Sequence, residues 1–592
     1  PRRLPAPRFA EPGASRAPAP GAETMLAGLF AELLGRGEVG VDDSFFALGG
    51  DSILSIQLVA RARAEGLSLT PRDVFAARTV RALAALVGDG AAPAPATAED
   101  PDEGPVAFTP LMRAFLDRGG PLNGHHMAAV VGLPRDVGVP ELERILAALI
   151  ERHAMLEPRL LGERGDMRFD VAGSVDTTGV VGETEIDLDG PGAEAAFDRA
   201  RREAIARLDP YAGRMVTAVR VANPGGNPAL ILVVHHFVVD GVSLRVLLDD
   251  LATAGAAVAQ GGEIALAPAG TSMRRWTAAL AREAVSARRA AELDTWRTVL
   301  DGPDPLVAVR RVDPVRDLWS DTRTHVVTLD PVTTAAVLTD VPEVFYAGPD
   351  DVLLTGLGLA VAAWRRSRGV DEASALVTVE SHGRIGEAVP DSADLSRTVG
   401  WFTSQYPVRL DASGVDLAEA VDGGPGAGVV LKRVKEHLRS LPDRGLGYGL
   451  LRWLNPDTAG ELAAFGEPQI AFNFLGRVDT TGSGPARPWT LRPGGISAGS
   501  DPGMPVAVTL VLNAVAEDGP DGPRLVGHWS YPAGLLDPDA VAALAEAWIR
   551  ALRGLARHGT SGGAGGHTPS DMPLVSLDQG DLDALEGRWG SV

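Results

Sequence analysis

The sequence predicts a multidomain protein in which a small all-α domain of four helices is followed by a two-lobed α/β domain. Three observations carry that reading. Between Glu23 and Val87 the apolar residues recur at helical spacing. From Val106 to about Arg557, helical periodicity alternates with short Val/Leu/Ile strands, and the alternation runs twice, restarting near His325 after an Arg/Ala-rich helical stretch through Trp296. Residues 88–104 are a Pro/Ala/acidic segment with no apolar period, so the two parts are expected to be joined by a linker.

Composition limits the chemistry. At 592 residues the chain can bury several cores, and 45% apolar with 22% charged residues are globular values. A net charge of -22 without a basic cluster argues against nucleic acid and anionic membranes as partners. No cysteine is present, which excludes disulfides, thiolate nucleophiles and Cys-ligated metals and fits a reducing cytoplasm. The longest apolar stretch, Leu353 to Trp364, is bracketed by Asp350-Asp351 and Arg365-Arg366. It falls short of the ~20 residues of a membrane span and reads as a core helix. Pro1-Arg2-Arg3-Leu4-Pro5 offers neither an initiator Met nor an apolar signal region, as expected for a piece of a longer polypeptide.

In chain order, residues 1–21 read as an extended Pro/Ala/Arg arm. A first helix follows on Met25, Leu26, Leu29, Phe30 and Leu33-Leu34, and a second on Ile53, Ile56 and Val59-Ala60. A short third helix over Pro71 to Ala76 and a fourth over Thr79 to Val87 complete the bundle. Between the first two lies Asp42-Asp43-Ser44-Phe45-Phe46-Ala47-Leu48-Gly49-Gly50-Asp51-Ser52. Adjacent glycines allow a tight turn, after which Asp51-Ser52 opens a helix. A plain helix cap would explain these residues, and a helix N-terminus would equally favour a phosphate attached to Ser52. The stretch resembles the carrier (thiolation) domain of nonribosomal peptide synthetases, which implies a 4'-phosphopantetheine arm on Ser52. In that family an Asp before the serine, here Asp51, typifies carriers serving an epimerization domain. Arg2-Arg3-Leu4-Pro5-Ala6-Pro7 likewise resembles the trailing end of an adenylation domain. The expected layout is a linker at 1–21, a peptidyl carrier domain at 22–88 and a second linker at 89–105.

In the larger part, helices are expected at Leu111 to Arg118, Val139 to Arg152, Gly192 to Arg207, Ser243 to Val258 and Asp350 to Arg368. Strands are expected at Met127 to Val131, Met215 to Val221, Ile231 to Val239, His325 to Leu329 and Ala375 to Glu380. The run Ile231-Leu232-Val233-Val234-His235-His236-Phe237-Val238-Val239-Asp240-Gly241-Val242-Ser243 reads as a buried strand with two histidines at its carboxyl end, where ligand sites gather. A hydrogen-bonded structural histidine is the competing explanation. Four further stretches carry polar groups: Val377-Thr378-Val379-Glu380-Ser381-His382-Gly383-Arg384, Arg397-Thr398-Val399-Gly400-Trp401-Phe402-Thr403-Ser404-Gln405-Tyr406-Pro407, Pro442-Asp443-Arg444-Gly445-Leu446-Gly447-Tyr448-Gly449-Leu450-Leu451-Arg452 and Ile470-Ala471-Phe472-Asn473-Phe474-Leu475-Gly476-Arg477. Singly, each has an ordinary explanation, such as a Glu380–Arg384 ion pair or a buried Asn473 amide bonding backbone. The pairs His125-His126 and His235-His236 are adjacent on strands, so their side chains diverge and a metal site is not expected.

Together and in this order, the five stretches resemble the epimerization domain of nonribosomal peptide synthetases, over residues 106 to about 557. Condensation domains of the same superfamily share only the HHxxxDG segment. The resemblance implies two chloramphenicol-acetyltransferase-like lobes (106–290 and 291–557) around a tunnel, with residues 558–592 as a C-terminal linker. It supplies His236 from the first lobe and Glu380 from the second as an acid/base pair that epimerizes an L-aminoacyl or peptidyl thioester. Inverting a carbon requires a proton taken from one face and returned to the other, so two such groups are an economical minimum. Asn473 could stabilise charge on the thioester carbonyl. His235 and Asp240 are expected to be structural, Asp240 through an ion pair with Arg384, and Tyr448 to be supporting. No redox or pyridoxal cofactor is needed. The implied partners are an upstream adenylation domain, a downstream D-selective condensation domain and a phosphopantetheinyl transferase.

Some positions depart from the family pattern: Leu244 stands where Trp is usual, Phe474 where Tyr is common, and the segment Phe108 to Phe115 lacks an expected Trp. A condensation domain forming a peptide bond and a degenerate docking scaffold remain rival functions.

Overall fold

The computed structural model describes residues 16–34, 36–46, 48–50, 52–70, 73–74, 77–87, 103–162, 167–171, 179–188, 190–389, 394–479, 488–519, 521–561, 564–572, 575 and 577–589. The chain divides into two compact units, Pro1–Glu99 and Asp100–Val592.

In the first unit, α1 (Ala22–Leu33), α2 (Ser52–Ala64) and α3 (Val80–Leu86) surround a core of Leu26, Phe30, Phe45, Leu58, Val59, Val74 and Leu83. The Thr79 hydroxyl caps α3 by accepting from the Ala82 N–H. Of the short helix expected over Pro71 to Ala76, only Asp73 and Val74 are described, and both are helical. The Phe45 ring meets Phe30 edge-on at 4.9 Å between centroids, and it fixes the turn before α2. Gly49 is left-handed at φ 106°, and a Cβ on Gly50 would fall 2.3 Å from the Phe45 ring. Both glycines are therefore required by the turn itself.

The second unit is two α/β lobes. The first lobe's sheet runs β9-β1-β4-β3-β2, with β1 His126–Gly132, β2 Val181–Glu185, β3 Val216–Ala222, β4 Ala229–His235 and β9 Leu491–Gly499. α4 (Pro110–Arg118), α5 (Val139–Arg152), α6 (Ala193–Ala206) and α7 (Gly241–Ala259) belong to this lobe. β4 is covered on both faces: Leu230, Leu232 and Val234 join one cluster with α5 and α7, while Ile231 and Val233 join Ala200 and Ala204 of α6. The strand stops at His235, earlier than the Val239 expected, because His236–Val238 turn as a 3₁₀ segment.

The second lobe's sheet runs β7-β6-β8-β10-β11-β5, with β5 Thr322–Leu329, β6 Ser374–Ser381, β7 Ser404–Asp411, β8 Ile470–Asp479, β10 Leu510–Gly519 and β11 Gly522–Pro532. One face, including Val379, Tyr406, Phe472, Leu512 and Trp529, is buried with α8 (Pro349–Ser367), α9 (Pro425–Ser440) and α10 (Pro538–Gly559). The alternation of a strand turns Glu380, Gln405, Asn473 and Asn513 to the opposite, half-buried face.

Two features depart from the sequence reading. β9 comes from the stretch assigned to the second lobe but pairs with β1 in the first, so 290/291 is not a clean boundary. The tail beyond 557 does not simply trail away. Thr568 is buried, Lys435 on α9 bonds Asp571 at 2.5 Å, and α11 (Gln579–Trp589) is tied down by Lys432–Asp583 at 2.8 Å. No single helix among the described residues is long and apolar enough to cross a membrane, and α8 is a core helix.

Gly50→Ala is expected to destabilise the first unit by about 1–3 kcal/mol through overpacking against Phe45. Calorimetry of the whole chain should show the first unit's transition lowered and the second unit's unmoved.

Candidate active site

Where β4 gives way to α7, the chain places two histidines in different environments. His235 is fully buried; its Nε2 lies 2.9 Å from the Leu122 carbonyl and its Nδ1 accepts the Phe237 N–H at 3.3 Å. That pattern fixes the Nε2–H tautomer, and burial pushes its pKa down to about 4. Both of its ring nitrogens are thus committed to backbone groups. His236 is half-buried, with its N–H donating to the His125 carbonyl at 2.9 Å and its ring 4.8 Å from Trp401. Its Nδ1 has no hydrogen-bond partner among the described residues. Burial lowers its pKa, with the nearby polar backbone of His236 and Val239 and the Asp240 carboxylate opposing, so the imidazole rests neutral and able to accept a proton.

Asp240 caps α7, accepting from the Ser243 N–H at 2.7 Å, and also reaches across to the second lobe's chain. Its Oδ1 pairs with Arg384 at 3.2 Å and its Oδ2 accepts the Phe402 N–H at 3.0 Å. Ser243 closes the clasp: its hydroxyl donates to the Gly400 carbonyl at 2.7 Å and accepts from Arg384 at 2.8 Å. Arg384 further donates to the Leu395 and Thr398 carbonyls and lies 4.0 Å over the Phe402 ring. Gly383, at φ +65°, lies so close to Phe402 that a Cβ would sit 1.7 Å from its carbonyl oxygen. The expected Asp240–Arg384 ion pair is present, and it anchors the 397–402 loop.

That loop leads from one candidate group to the other. Trp401 lies against His236, and in the same chain direction Gln405 donates to Glu380 at 2.7 Å. An extended chain from 401 to 405 covers at most about 14 Å. Glu380 therefore pairs with Gln405 rather than with Arg384, and burial raises its carboxyl pKa while that hydrogen bond opposes the rise. Asn473 lies one residue beyond the Phe472–Val379 pair of β8 and β6, which puts it on the same sheet face as Glu380. Tyr448 is in the second lobe's core, edge-on to Trp296 at 5.4 Å, where its role is packing.

Sequence reasoning missed His125, whose ring stacks on His236 at 4.7 Å and 7°. The expectation that these histidines lie along strands is met only by His126 and His235, which face each other across β1 and β4, whereas His125 precedes β1 and His236 begins the 3₁₀ segment, where the two rings stack. No cluster able to hold a metal is found among the described residues. In the first unit, Ser52 is the first residue of α2, two positions after Gly50 of the Gly49-Gly50 turn.

Asp240→Asn, which leaves Arg384 buried without its counter-charge, is expected to destabilise the second unit by about 3–5 kcal/mol. Chemical denaturation should show the loss, and Asp294→Asn, at an exposed pair with Arg297, should show almost none.

The condensation-domain family matches residues 121–489, and the phosphopantetheine attachment site family matches residues 26–87. One of the proteins that make up linear gramicidin synthase in Brevibacillus parabrevis is 33% identical over 100% of this chain and 8% of its own length. Surfactin synthase subunit 2 of Bacillus subtilis is 34% identical over 79% of this chain and 12% of its own. The chain thus spans about a tenth of these relatives. Among solved structures, the epimerization domain from the third module of tyrocidine synthetase B superposes with a TM-score of 0.64 at 25% identity, covering 77% of this chain and 97% of that one. The first condensation domain of the CDA synthetase, at 20% identity and a TM-score of 0.52 over 77% of this chain and 97% of that one, shares the fold. The chain belongs to the nonribosomal peptide synthetase condensation family, its condensation-type domain preceded by a carrier domain of the kind that bears covalent 4'-phosphopantetheine.

Proposed function

We propose that the second unit is an epimerase acting on an L-aminoacyl or peptidyl thioester carried by Ser52 of the first. The observation that carries this reading is that the 401–405 segment joins Trp401, which lies against His236 of the first lobe, to Gln405, which donates to Glu380 of the second, so that two desolvated acid/base groups stand at its ends. The superposition on an epimerization domain supports it. The phosphopantetheine arm, attached to Ser52 by a phosphopantetheinyl transferase, supplies the thioester whose carbonyl acidifies the α-proton. One of His236 and Glu380 removes that proton while the other delivers a proton to the opposite face. Asn473, on the same sheet face as Glu380, would donate to the carbonyl oxygen as charge develops there. His235, Asp240 and Arg384 hold this geometry. An adenylation domain before this chain would supply the L-residue, and a D-selective condensation domain after it would take the inverted one.

A condensation reaction is the second reading, favoured by the match of the shared fold to that family. Loading L-aminoacyl-pantetheine onto Ser52 in deuterated water, without any acceptor amine, separates the two. An epimerase incorporates deuterium at the α-carbon and yields the D-isomer, whereas a condensation domain does neither. His236→Ala and Glu380→Gln are each expected to slow exchange about 10²- to 10⁴-fold, the usual weight of an acid/base group. Ser52→Ala should prevent loading. Full exchange in Glu380→Gln would overturn the pair.

A stability measurement gives an independent check on Glu380. Because its folded pKa is raised, the buried carboxylate penalises the fold only as pH rises through that pKa, and below the unfolded value the penalty vanishes. Glu380→Gln is therefore expected to melt above the wild type at neutral pH and together with it under acid conditions.

A further inference from the structure

We propose that His125 is a positioning residue for His236, an uncharged aromatic wall that holds the His236 ring in place and stabilises the imidazolium formed when His236 takes up a proton. The proposal deepens the acid/base reading of His236 and rests on it for its catalytic consequence.

The geometry comes from three elements. His125 directly precedes β1, and its carbonyl accepts the His236 N–H at 2.9 Å, so the two backbones are fixed at this point. Its ring lies parallel to that of His236, 7° apart at 4.7 Å. Phe115 of α4 stacks on His125 at 4.2 Å and 26°, and since two rings cannot occupy one face, His125 is held between Phe115 and His236. Trp401 closes the cluster, 4.8 Å from His236 and 5.3 Å from His125.

His125 is not equipped to carry the proton itself. Its Nε2 is buried without a partner among the described residues, and its Nδ1 has only a long 3.4 Å contact to the Ser500 hydroxyl. Burial, together with His236, His235, Arg118 and His126 nearby, keeps it neutral. The charged and titratable groups facing His236 are Asp240, which favours its cationic form, and His126, which opposes it. Against this background, His125 and Trp401 offer π faces, which attract a cation and do little for the neutral ring. The stabilisation is therefore larger after proton uptake than before it, the condition for accelerating the step.

The test compares His125→Phe, which keeps the ring and removes both nitrogens, with His125→Leu, which keeps much of the volume and removes the ring. The Phe variant is expected to retain wild-type kcat and acid limb in the exchange assay. The Leu variant should lose about 3- to 30-fold in kcat, the weight of a cation–π contact, with KM little changed. Titration of histidine-labelled protein by NMR should show His236 protonating at lower pH in the Leu variant than in the Phe variant. His125→Met replaces Leu if the latter fails to fold. A Phe variant as slow as the Leu variant, or a Leu variant whose His236 titrates and turns over like wild type, would overturn the proposal. If wild type shows no exchange, the epimerase reading fails, while the NMR titration still decides the role of His125.

Discussion

A single charge pair buried between the lobes organises the site. Asp240 and Arg384 are both almost inaccessible, and neither charge is tolerable there without the other. Each ion also satisfies several neutral groups: Asp240 takes the Ser243 and Phe402 N–H groups, and Arg384 gives to Leu395, Thr398 and Ser243. The consequence is geometric. The loop carrying Trp401 is pinned to the start of α7, and the strand carrying Gln405 leaves that loop already aligned with Glu380. His236, Trp401 and Glu380 come from segments far apart in sequence, yet one clasp sets the position of all three.

Much of this was legible in the sequence because the informative features are local. The apolar run before His235 announces a doubly covered strand, the adjacent glycines before Ser52 announce a tight turn, and Asp240 is read as the ion-pair partner of Arg384. What could not be read is non-local. Glu380 had two available partners, Arg384 nearby in sequence and Gln405 on the next strand, and only strand register decides for Gln405. His125 was hidden for the same reason, since its stacking partner is set by the pairing of β1 with β4. β9 gave little signal: Leu491 to Gly499 is rich in glycine and poor in β-branched residues, and the pairing edge of β1 makes it a strand.

The two desolvated groups also carry the stability cost expected of the proposed acid/base pair. Burial works against the charged form of each, raising the Glu380 pKa and lowering that of His236. A core built for stability alone would replace both with apolar residues. The hydrogen bond from Gln405 offsets part of that burden at Glu380.

The crossing of β9 has a bearing on how such domains can be recombined. The first lobe's sheet is completed by a strand that begins about 360 residues after the end of β1, its neighbour in the sheet, and Met504 after it packs in the first lobe's core. A gene fragment ending near residue 290 would leave β1 with an open edge, the kind of surface that pairs with another chain. The heritable unit, and the unit to move between assembly lines, is therefore the whole pair of lobes, interleaved in sequence although separate in architecture.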